Sequence, residues 1–435
     1  MEKNHLNKHT RAAIRHDLSC LCPGFAAATT KQQSFILKKV SAWLLKGKNH
    51  QHNKTEGAFF IYCKERQKHF RLASDFKKAT AGIIDCVKDQ YYSQQRSCKA
   101  YESTEQAKQI ILKHMTDNKD KPVMLEGRNG NAIVSRDIND NKPACKGNLK
   151  LMQPVNRPAV EKLLSTTANK PHTDANERII FGCLGVLNNS NFKGHSGQMP
   201  NRYREAISGR IVGLGLNLQN VKREVKNAAL ADQYDHDIVN CHINFTAQLG
   251  KSHGLGTDSL DWYNSIKTNT DKTELIELAS LFTDNPSDFK RAMLALIYGA
   301  PLNSSHGAIK DILNEYASDF INHTEIKELS REAADIRACV IANAPARRGQ
   351  LINHLNKPLE LANESVTIKT KYAHILHGLE AQMLHHAISL YGDQISLLSH
   401  DGFVTKQPID TAPLTELFEQ STGLVIDMKT EQLAA

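Results

Sequence analysis

The 435-residue sequence has no apolar run that approaches the length of a membrane-spanning helix, which needs about 20 consecutive apolar residues. Its first residues, MEKNHLNKHTRAAIRHD, lack the apolar core of a secretory signal. The nine cysteines are scattered and odd in number, and the C-x-C of Cys20 and Cys22 has no matching second pair at zinc spacing. We therefore expect a cytoplasmic protein without membrane contact, whose thiols are buried or incidental.

Residues 1–170 form a basic N-terminal region. Lysine and arginine number 55 in the whole chain against 46 acidic residues, a net charge of +9, which is compatible with a polyanionic partner. ASDFKKATAGIIDCVKDQYY predicts an amphipathic helix, followed by a basic hairpin in SQQRSCKAYE. This order favours either a winged-helix nucleic-acid module or a helical domain with a solvated basic face. The polar stretch over 117–148 predicts loops or a linker.

The stretch ISLLSHDGFV, from Ile395 to Val404, places a polar triplet between two apolar runs. The runs predict two short strands, and Asp and Gly favour a hairpin turn between them. Such a turn would hold the carboxylate of Asp401 rigidly at a sheet edge, as a catalytic metal requires. The alternative is an ordinary β-turn, and the choice depends on a second carboxylate elsewhere in the chain.

A second candidate carboxylate lies in QYDHDIVNCHINF, from Gln233 to Phe245. Asp235 and Asp237 interrupt a strand-like apolar run that leads into a predicted helix. The functional interpretation is another carboxylate presented at the end of a buried strand. The alternative is a strand end with solvated acids.

The stretch FKRAMLALIYGA, from Phe289 to Ala300, predicts a helix that ends at a glycine. Lys290, Leu294 and Tyr298 are four residues apart and share one face. Eight helical residues span about 12 Å, the length of a nucleoside triphosphate with its phosphates at Lys290 and its sugar and base near Tyr298. An ordinary amphipathic helix would show the same residues.

The stretch SGRIVGLGLNLQNVKR, from Ser208 to Arg223, carries three glycines together with Arg210 and Gln219. Glycine allows close backbone approach, and Arg, Asn and Gln reach groove edges and phosphates. It predicts either a nucleic-acid contact or a surface loop of mixed polarity.

In this order the four stretches resemble the family A polymerase superfamily, which unites family A DNA polymerases with phage-type single-subunit RNA polymerases. SGRIVGLGLNLQN resembles the TGR…NLQN stretch of the DNA polymerases, and DIVNCHINFTAQL resembles motif A of the superfamily. KRAMLALIYGA resembles motif B, and HDG resembles motif C. The resemblance covers roughly Asn201 to Leu433. It implies an α+β fold with a right-hand polymerase palm, built on an antiparallel sheet, and helical fingers over 171–435. Nothing before about residue 170 takes part in the resemblance; we expect residues 1–170 to form a mainly helical region, winged-helix or thumb-like.

The resemblance also implies roles for individual residues. Asp237 and Asp401 would be catalytic and would bind two Mg²⁺ ions about 4 Å apart, and Lys290 would compensate the charge of the triphosphate. Template, primer and nucleoside triphosphates would be the partners. The implied substrate-binding residues are Arg210, Gln219, His242, Arg291, Leu294, Tyr298, Gly299 and His400.

A long helix is predicted over 371–394. Members of the superfamily carry a helix before motif C that lines primer and template. The resemblance therefore adds His374, His377, Glu380 and Gln382 as candidates for contacts there.

The sequence departs from the family pattern at three places. The arginine that usually stands four positions before the motif B lysine is Pro286, and Arg291 would replace its charge. His242 stands where the DNA polymerases have the glutamate that acts as sugar gate. Motif C ends in Gly402, which matches neither branch. These differences concern sugar selectivity more than the basic reaction.

The sequence thus predicts a template-directed nucleotidyltransferase, foremost a compact DNA-directed DNA polymerase that uses Mg²⁺ and lacks a proofreading exonuclease. Such an enzyme would suit a phage, prophage or plasmid replication system. A single-subunit RNA polymerase or primase-like enzyme is the alternative within the class. A non-catalytic replication initiator or nucleic-acid-binding protein is the alternative from another class, and the retained Asp237 and Asp401 argue against it.

Overall fold

The computed structural model describes residues 8–46, 59–62, 70, 73–93, 96–117, 149–171, 173–214, 216–269, 271–303, 306–362 and 366–434. Helices and antiparallel sheets are both present, which confirms the α+β class. The buried apolar side chains of the described parts pack into one core. No helix in these ranges is long and apolar enough to cross a membrane.

The first part of the chain combines helices with a small antiparallel sheet of order β1-β3-β2. Of the two cysteines with C-x-C spacing, Cys22 is buried and caps α2, Cys20 is exposed, and neither is in a disulfide. The elements are α1 Lys8–Leu21, α2 Pro23–Ala26, α3 Thr30–Lys46, β1 Phe59–Tyr62, α4 Ala73–Thr80, β2 Ile84–Ser93, β3 Arg96–Ser103 and α5 Glu105–Asp117.

The helix predicted over ASDFKKATAGIIDCVKDQYY is correct only in its first half. The chain leaves α4 through Gly82, whose φ of 74° suits glycine, and the residues after Ile83 pair as β2. Tertiary strand pairing overrides the helical spacing there. The hairpin that follows is confirmed. The predicted linker lies outside the described residues beyond Asp117.

A second antiparallel sheet joins residues from both sides of position 170. β4 pairs with β6 along its whole length, and β6 also pairs with β5 and β7. The elements are β4 Leu149–Asn156, α6 Arg157–Ala168, α7 Asp174–Asn189, β5 Asn191–Lys193, β6 Ser196–Glu205, β7 Ile211–Leu214, a 3₁₀ turn Leu218–Asn220 and α8 Arg223–Ala229.

The third sheet has the antiparallel order β12-β13-β8-β14. Its strands are β8 Tyr234–Ile238, β12 Ile395–Leu398, β13 Gly402–Thr405 and β14 Met428–Gln432. The strands predicted from the two acidic stretches are therefore confirmed. His236, fully buried on β8, hydrogen-bonds the Thr430 hydroxyl at 2.9 Å and the Thr405 hydroxyl at 2.8 Å, and stacks on Phe403. This side chain ties β8 to the strands on both its sides.

Helices occupy most of the chain between β8 and β12. They pack through buried aromatic rings, among them Phe282, Phe289 and Phe320. A small antiparallel sheet, β11-β10-β9, interrupts them. The elements are α9 Cys241–Ser252, α10 Asp258–Thr268, α11 Thr273–Ser280, α12 Pro286–Ile297, α13 Ala308–Leu313, a 3₁₀ turn Asn314–Tyr316, α14 Ala317–Asn322, α15 Thr324–Asn343, β9 Ala346–Arg347, β10 Gln350–Ile352, β11 Pro358–Glu360 and α16 Ile368–Tyr391, with α17 Ala412–Thr422 after β13.

Candidate active site

Two neighbouring strands bring Asp237 and Asp401 together. β8 and β13 are antiparallel, with Asp237 opposite Gly402, and the Ile238 N–H donates to the Asp401 carbonyl at 3.0 Å. Asp401 itself lies in the tight turn between β12 and β13, which the Ser399 N–H closes by donating to the Gly402 carbonyl at 2.9 Å. The hairpin and the strand end thus present one carboxylate each at the same edge of the sheet.

Only glycine fits at position 402, opposite Asp237 and directly after Asp401. A Cβ at this position would lie 2.1 Å from Asp237 Oδ1 and 2.3 Å from the His236 carbonyl oxygen. Real Cβ atoms do not approach oxygen so closely, so a side chain here would displace the Asp237 carboxylate or the strand. The glycine in the third position of HDG therefore has a local cause, because the Asp237 carboxylate occupies the space that a side chain at position 402 would need.

Asp237 carries an unfavourable charge in this setting. Its side chain remains accessible to solvent, but the surrounding protein and the charges of Asp235 and Asp401 raise the pKa of its carboxyl to about 7. Asp235 is buried and forms an ion pair with Lys226 at 2.5 Å, so its charge is compensated within the protein. Asp237 and Asp401 form no ion pair with a described basic side chain.

A hard divalent cation fits this donor set. Mg²⁺ prefers carboxylate oxygens and keeps several waters, which suits two acids at an accessible sheet edge. A cation would also relieve the repulsion that raises the pKa of Asp237. The residues present are therefore compatible with the predicted metal site at Asp237 and Asp401.

The helix predicted from FKRAMLALIYGA is confirmed as α12. Lys290 is exposed, Leu294 and Tyr298 are half-buried, and the helix ends at Gly299, whose φ is 86°. Arg337 of α15 fixes this end, because its guanidinium donates to the carbonyls of residues 296 and 297 at 3.2 and 2.8 Å. Arg291, which follows Lys290, forms an ion pair with Asp288 of the same helix at 2.7 Å. The charge of Arg291 is therefore partly neutralised within α12.

A buried carboxylate joins Tyr298 to two other sequence stretches. Glu380 of α16 is fully buried; Arg210 contacts both of its oxygens, at 3.1 and 3.2 Å, and His242 Nε2 lies 2.6 Å from Oε1. The Tyr298 hydroxyl lies 3.2 Å from His242 Nδ1. Burial and the charge of Glu380 raise the pKa of Tyr298, so its hydroxyl keeps its proton. The hydroxyl is also 3.3 Å from His242 Nε2, so the His242 ring lies between the Glu380 carboxylate and the Tyr298 hydroxyl.

Cys241, His242 and Glu380 also place three possible metal ligands within 4.8 Å of one another. Arg210 already neutralises Glu380 through both oxygens, and burial together with Glu380 raises the pKa of the Cys241 thiol. A cation at this point would displace an existing ion pair and would need the thiol ionised. The group is therefore an internal hydrogen-bond network.

Gln219 hydrogen-bonds the backbone of both β7 and β12, and His400 precedes Asp401 in the turn between β12 and β13. The stretch predicted as a loop is β7 followed by a 3₁₀ turn, and the Gln219 amide bonds the Gly213 N–H and the carbonyls of Ile211 and Leu398. This side chain therefore holds β7 against β12. Burial and the charge of Arg210 lower the pKa of His400.

Helix α16 confirms the helix predicted before motif C but not the exposure of its candidate residues. Glu380 is internal, and His374 is buried with Nε2 2.8 Å from the Lys357 carbonyl. His377 is half-buried and lies 3.2 Å from an Arg210 nitrogen; burial lowers its pKa to about 4. Gln382 is half-buried. Glu380 and His374 therefore act within the protein.

Sequence reasoning missed Lys267 and Arg337. Lys267 lies on α10, and the charges of both Lys290 and Asp401 act on it. Arg337 caps the helix that carries Lys290. No local pattern marks either residue, because each meets the site only through the packing of separate helices.

No protein-family model and no curated protein matches the chain. Among solved structures, similarity is found to the POL domain of Pol1 from M. smegmatis, in complex with DNA primer-template and dNTP. The sequence identity is 15% and the TM-score 0.39, and the alignment covers 62% of this chain and 55% of that chain. The match thus spans about half of that chain, and a likeness this distant carries no argument about activity.

The raised pKa of Asp237 predicts a pH-dependent stability. The folded-state pKa of about 7 exceeds the ordinary value of 3.8, so this group stabilises the fold below about pH 4 and loses that contribution as the pH rises through 7. Without divalent cations, Asp237→Asn should therefore melt at a higher temperature than wild type at pH 8, and the difference should shrink towards pH 4. Differential scanning calorimetry at both pH values measures it.

Asp427→Asn is the matched control, since it removes the same charge from an exposed site. It should leave the pH dependence unchanged. Added Mg²⁺ should raise the melting temperature of wild type but not of Asp237→Asn. A variant less stable than wild type at pH 8 would contradict the charge repulsion described for Asp237.

Proposed function

We propose that the chain is a template-directed nucleotidyltransferase, foremost a DNA-directed DNA polymerase. The observation that carries the proposal is the pair Asp237 and Asp401, one on β8 and the other in the turn before the adjacent strand β13, with no basic ion-pair partner among the described side chains. Motif A and motif C were assigned from separate sequence stretches, and their two acids meet at one sheet edge. On this proposal the sheet β12-β13-β8-β14 is the palm, and the helices between β8 and β12 include the fingers.

Asp237 and Asp401 would hold two Mg²⁺ ions at the sheet edge. When bound, these ions supply charge compensation and activate a primer hydroxyl. The carboxylates fix the position of this chemistry, because one is set by strand pairing and the other by a three-residue turn. Phosphoryl transfer demands mainly positioning and charge compensation. The rigid carboxylates would supply the positioning, and the ions that they hold would supply the charge compensation.

Helix α12 would bind the incoming nucleoside triphosphate along its exposed face. Lys290 would contact the phosphates, Leu294 the middle of the nucleotide, and Tyr298 with Gly299 the sugar and the nascent base pair. Arg291 would add charge at the phosphate end despite its bond to Asp288. The cap from Arg337 would keep the helix end, and thus Tyr298, at a constant position.

The network of Arg210, His242 and Glu380 would set the sugar pocket. His242 stands at the position of the missing gate glutamate, and Glu380 brings a carboxylate to it from α16. Through His242 the carboxylate orients the Tyr298 hydroxyl. This arrangement makes His242 and Tyr298 the residues that contact the nucleotide, with Glu380 and Arg210 positioning them.

The remaining residues would serve the nucleic acid. His400 would lie beside the primer terminus, and Gln219 would support it by holding β7 against β12. The basic region over 1–170, with its helices and hairpin, would contact template or duplex. The same carboxylate pair would serve an RNA polymerase or primase-like enzyme, which His242 at the gate position favours as the alternative.

The central test is primer extension with labelled primers on DNA and RNA templates, with dNTPs and rNTPs supplied separately. Wild type should incorporate nucleotides in Mg²⁺, and incorporation by Asp237→Asn or Asp401→Asn should fall by about 10²-fold or more, because each loses a carboxylate that would hold the charge-compensating cations. Template binding, measured by fluorescence anisotropy, should be retained by both variants.

Two further variants separate this proposal from its alternatives. Asp427→Asn should extend primers like wild type. Asp235→Asn should lose stability, since it leaves Lys226 unpaired, but should keep activity at low temperature. Full incorporation by both Asp237→Asn and Asp401→Asn would reject the catalytic assignment, and wild type that binds template without any incorporation would favour a non-catalytic initiator.

The Tyr298 hydroxyl should affect the choice between dNTP and rNTP. Tyr298→Phe keeps the ring and removes a hydrogen bond of about 0.5–1.5 kcal/mol, so the ratio of kcat/KM values should shift about two- to tenfold. Tyr372→Phe is the matched control, because its ring lies 6.4 Å from Tyr298 but its hydroxyl bonds Thr246. If the ratio of kcat/KM values shifted equally in both variants, the Tyr298 hydroxyl would not contact the sugar.

A further inference from the structure

Lys267 lies in the same part of the molecule as Lys290, although the two residues belong to different helices. The Tyr263 ring of α10 packs edge-on against the Phe289 ring of α12, with centroids 6.2 Å apart. Lys267 follows Tyr263 by one helical turn, and Lys290 directly follows Phe289. This ring contact joins the two helices, and the charge of Lys290 acts on Lys267, so the two ammonium groups lie in one region.

A hydrogen bond also ties this end of α10 to the strand that carries Asp237. Asn240, in the left-handed conformation with φ of 50°, turns the chain from β8 into α9, and its amide donates to Asn264 Oδ1 at 2.8 Å. Lys267 is three residues beyond Asn264 and thus on the same side of α10. The charge of Asp401 acts on Lys267 as well, so the lysine lies within electrostatic reach of that carboxylate.

Neither lysine has an ion-pair partner among the described side chains, in contrast to their neighbours. Arg291 is paired with Asp288, and Lys251 with Asp261. Lys267 is half-buried, and an ammonium group that is partly desolvated next to another cation is unfavourable unless an anion is present. Burial and the charge of Lys290 accordingly lower the pKa of Lys267 to about 8.

We propose that Lys267 is a second phosphate-binding residue of the active site, which together with Lys290 receives the β- and γ-phosphates of the nucleoside triphosphate. The proposed nucleotidyltransferase function supplies the identity of the anion. The carboxylate pair would hold the cations that bind the reacting phosphate, and the lysine pair would hold the part of the triphosphate that leaves as pyrophosphate. The β- and γ-phosphates would thus contact one lysine from α10 and one from α12.

Binding of inorganic tripolyphosphate to the full chain tests the inference without requiring activity. By isothermal titration calorimetry, Lys267→Met and Lys290→Met should each bind about tenfold or more weakly than wild type, the loss expected for one hydrogen bond to a charged group. Lys267→Arg should recover most of the affinity. Lys251→Met, which removes a lysine that is already paired, should bind like wild type.

Thermal unfolding gives a second readout that a merely structural lysine would not produce. Without an anion, Lys267→Met should melt at a higher temperature than wild type, because it removes an unpaired, half-buried charge. With saturating tripolyphosphate, wild type should be stabilised more than the variant. Equal stabilisation of both, or wild-type affinity in Lys267→Met, would overturn the proposal.

The two proposals fail in distinguishable ways. If tripolyphosphate binds through both lysines but no template-directed incorporation is found, the polymerase function is wrong and the anion site stands. If incorporation depends on Asp237 and Asp401 while Lys267→Met binds tripolyphosphate and turns over nucleotide like wild type, the lysine pair is wrong and the function stands.

Discussion

The pairing of β8 with β13 is the constraint on which the candidate site depends. It sets Asp237 opposite a glycine whose missing side chain leaves room for the carboxylate, and it places Asp401 at the adjoining turn. His236, bonded to threonines on both flanking strands, fixes the register from the buried face of the sheet. A slip of one residue would turn both His236 and Asp237 to the wrong faces.

A fully buried carboxylate, Glu380, organises the other half of the site. It accepts from Arg210 and His242, and through His242 it reaches Tyr298 at the end of α12. Removing one partner of such a buried pair leaves an uncompensated charge, which is typically strongly destabilising. The proposed sugar pocket and the fold are therefore coupled, and substitutions at Tyr298, at the margin of the network, are more informative than substitutions of Glu380.

Local patterns in the sequence sufficed for the elements that carry the chemistry. Short apolar runs around a glycine turn predicted β12 and β13, and an apolar run interrupted by acidic residues predicted β8. Helical spacing with a glycine stop predicted α12. These signals all lie within a few neighbouring residues. The same spacing misled at β2, where strand pairing decides. Glu380 was expected to face nucleic acid, and Lys267 and Arg337 were not recognised, since their roles arise from contacts between helices far apart in the chain.

The most direct test of the account is anomalous diffraction from crystals of the chain grown with Mn²⁺ and a non-hydrolysable nucleoside triphosphate. The account predicts anomalous density between the carboxylates of Asp237 and Asp401, with the triphosphate extending from it towards α12. Density instead at Cys241, His242 and Glu380, or a nucleotide bound away from the β8–β13 edge, would contradict it.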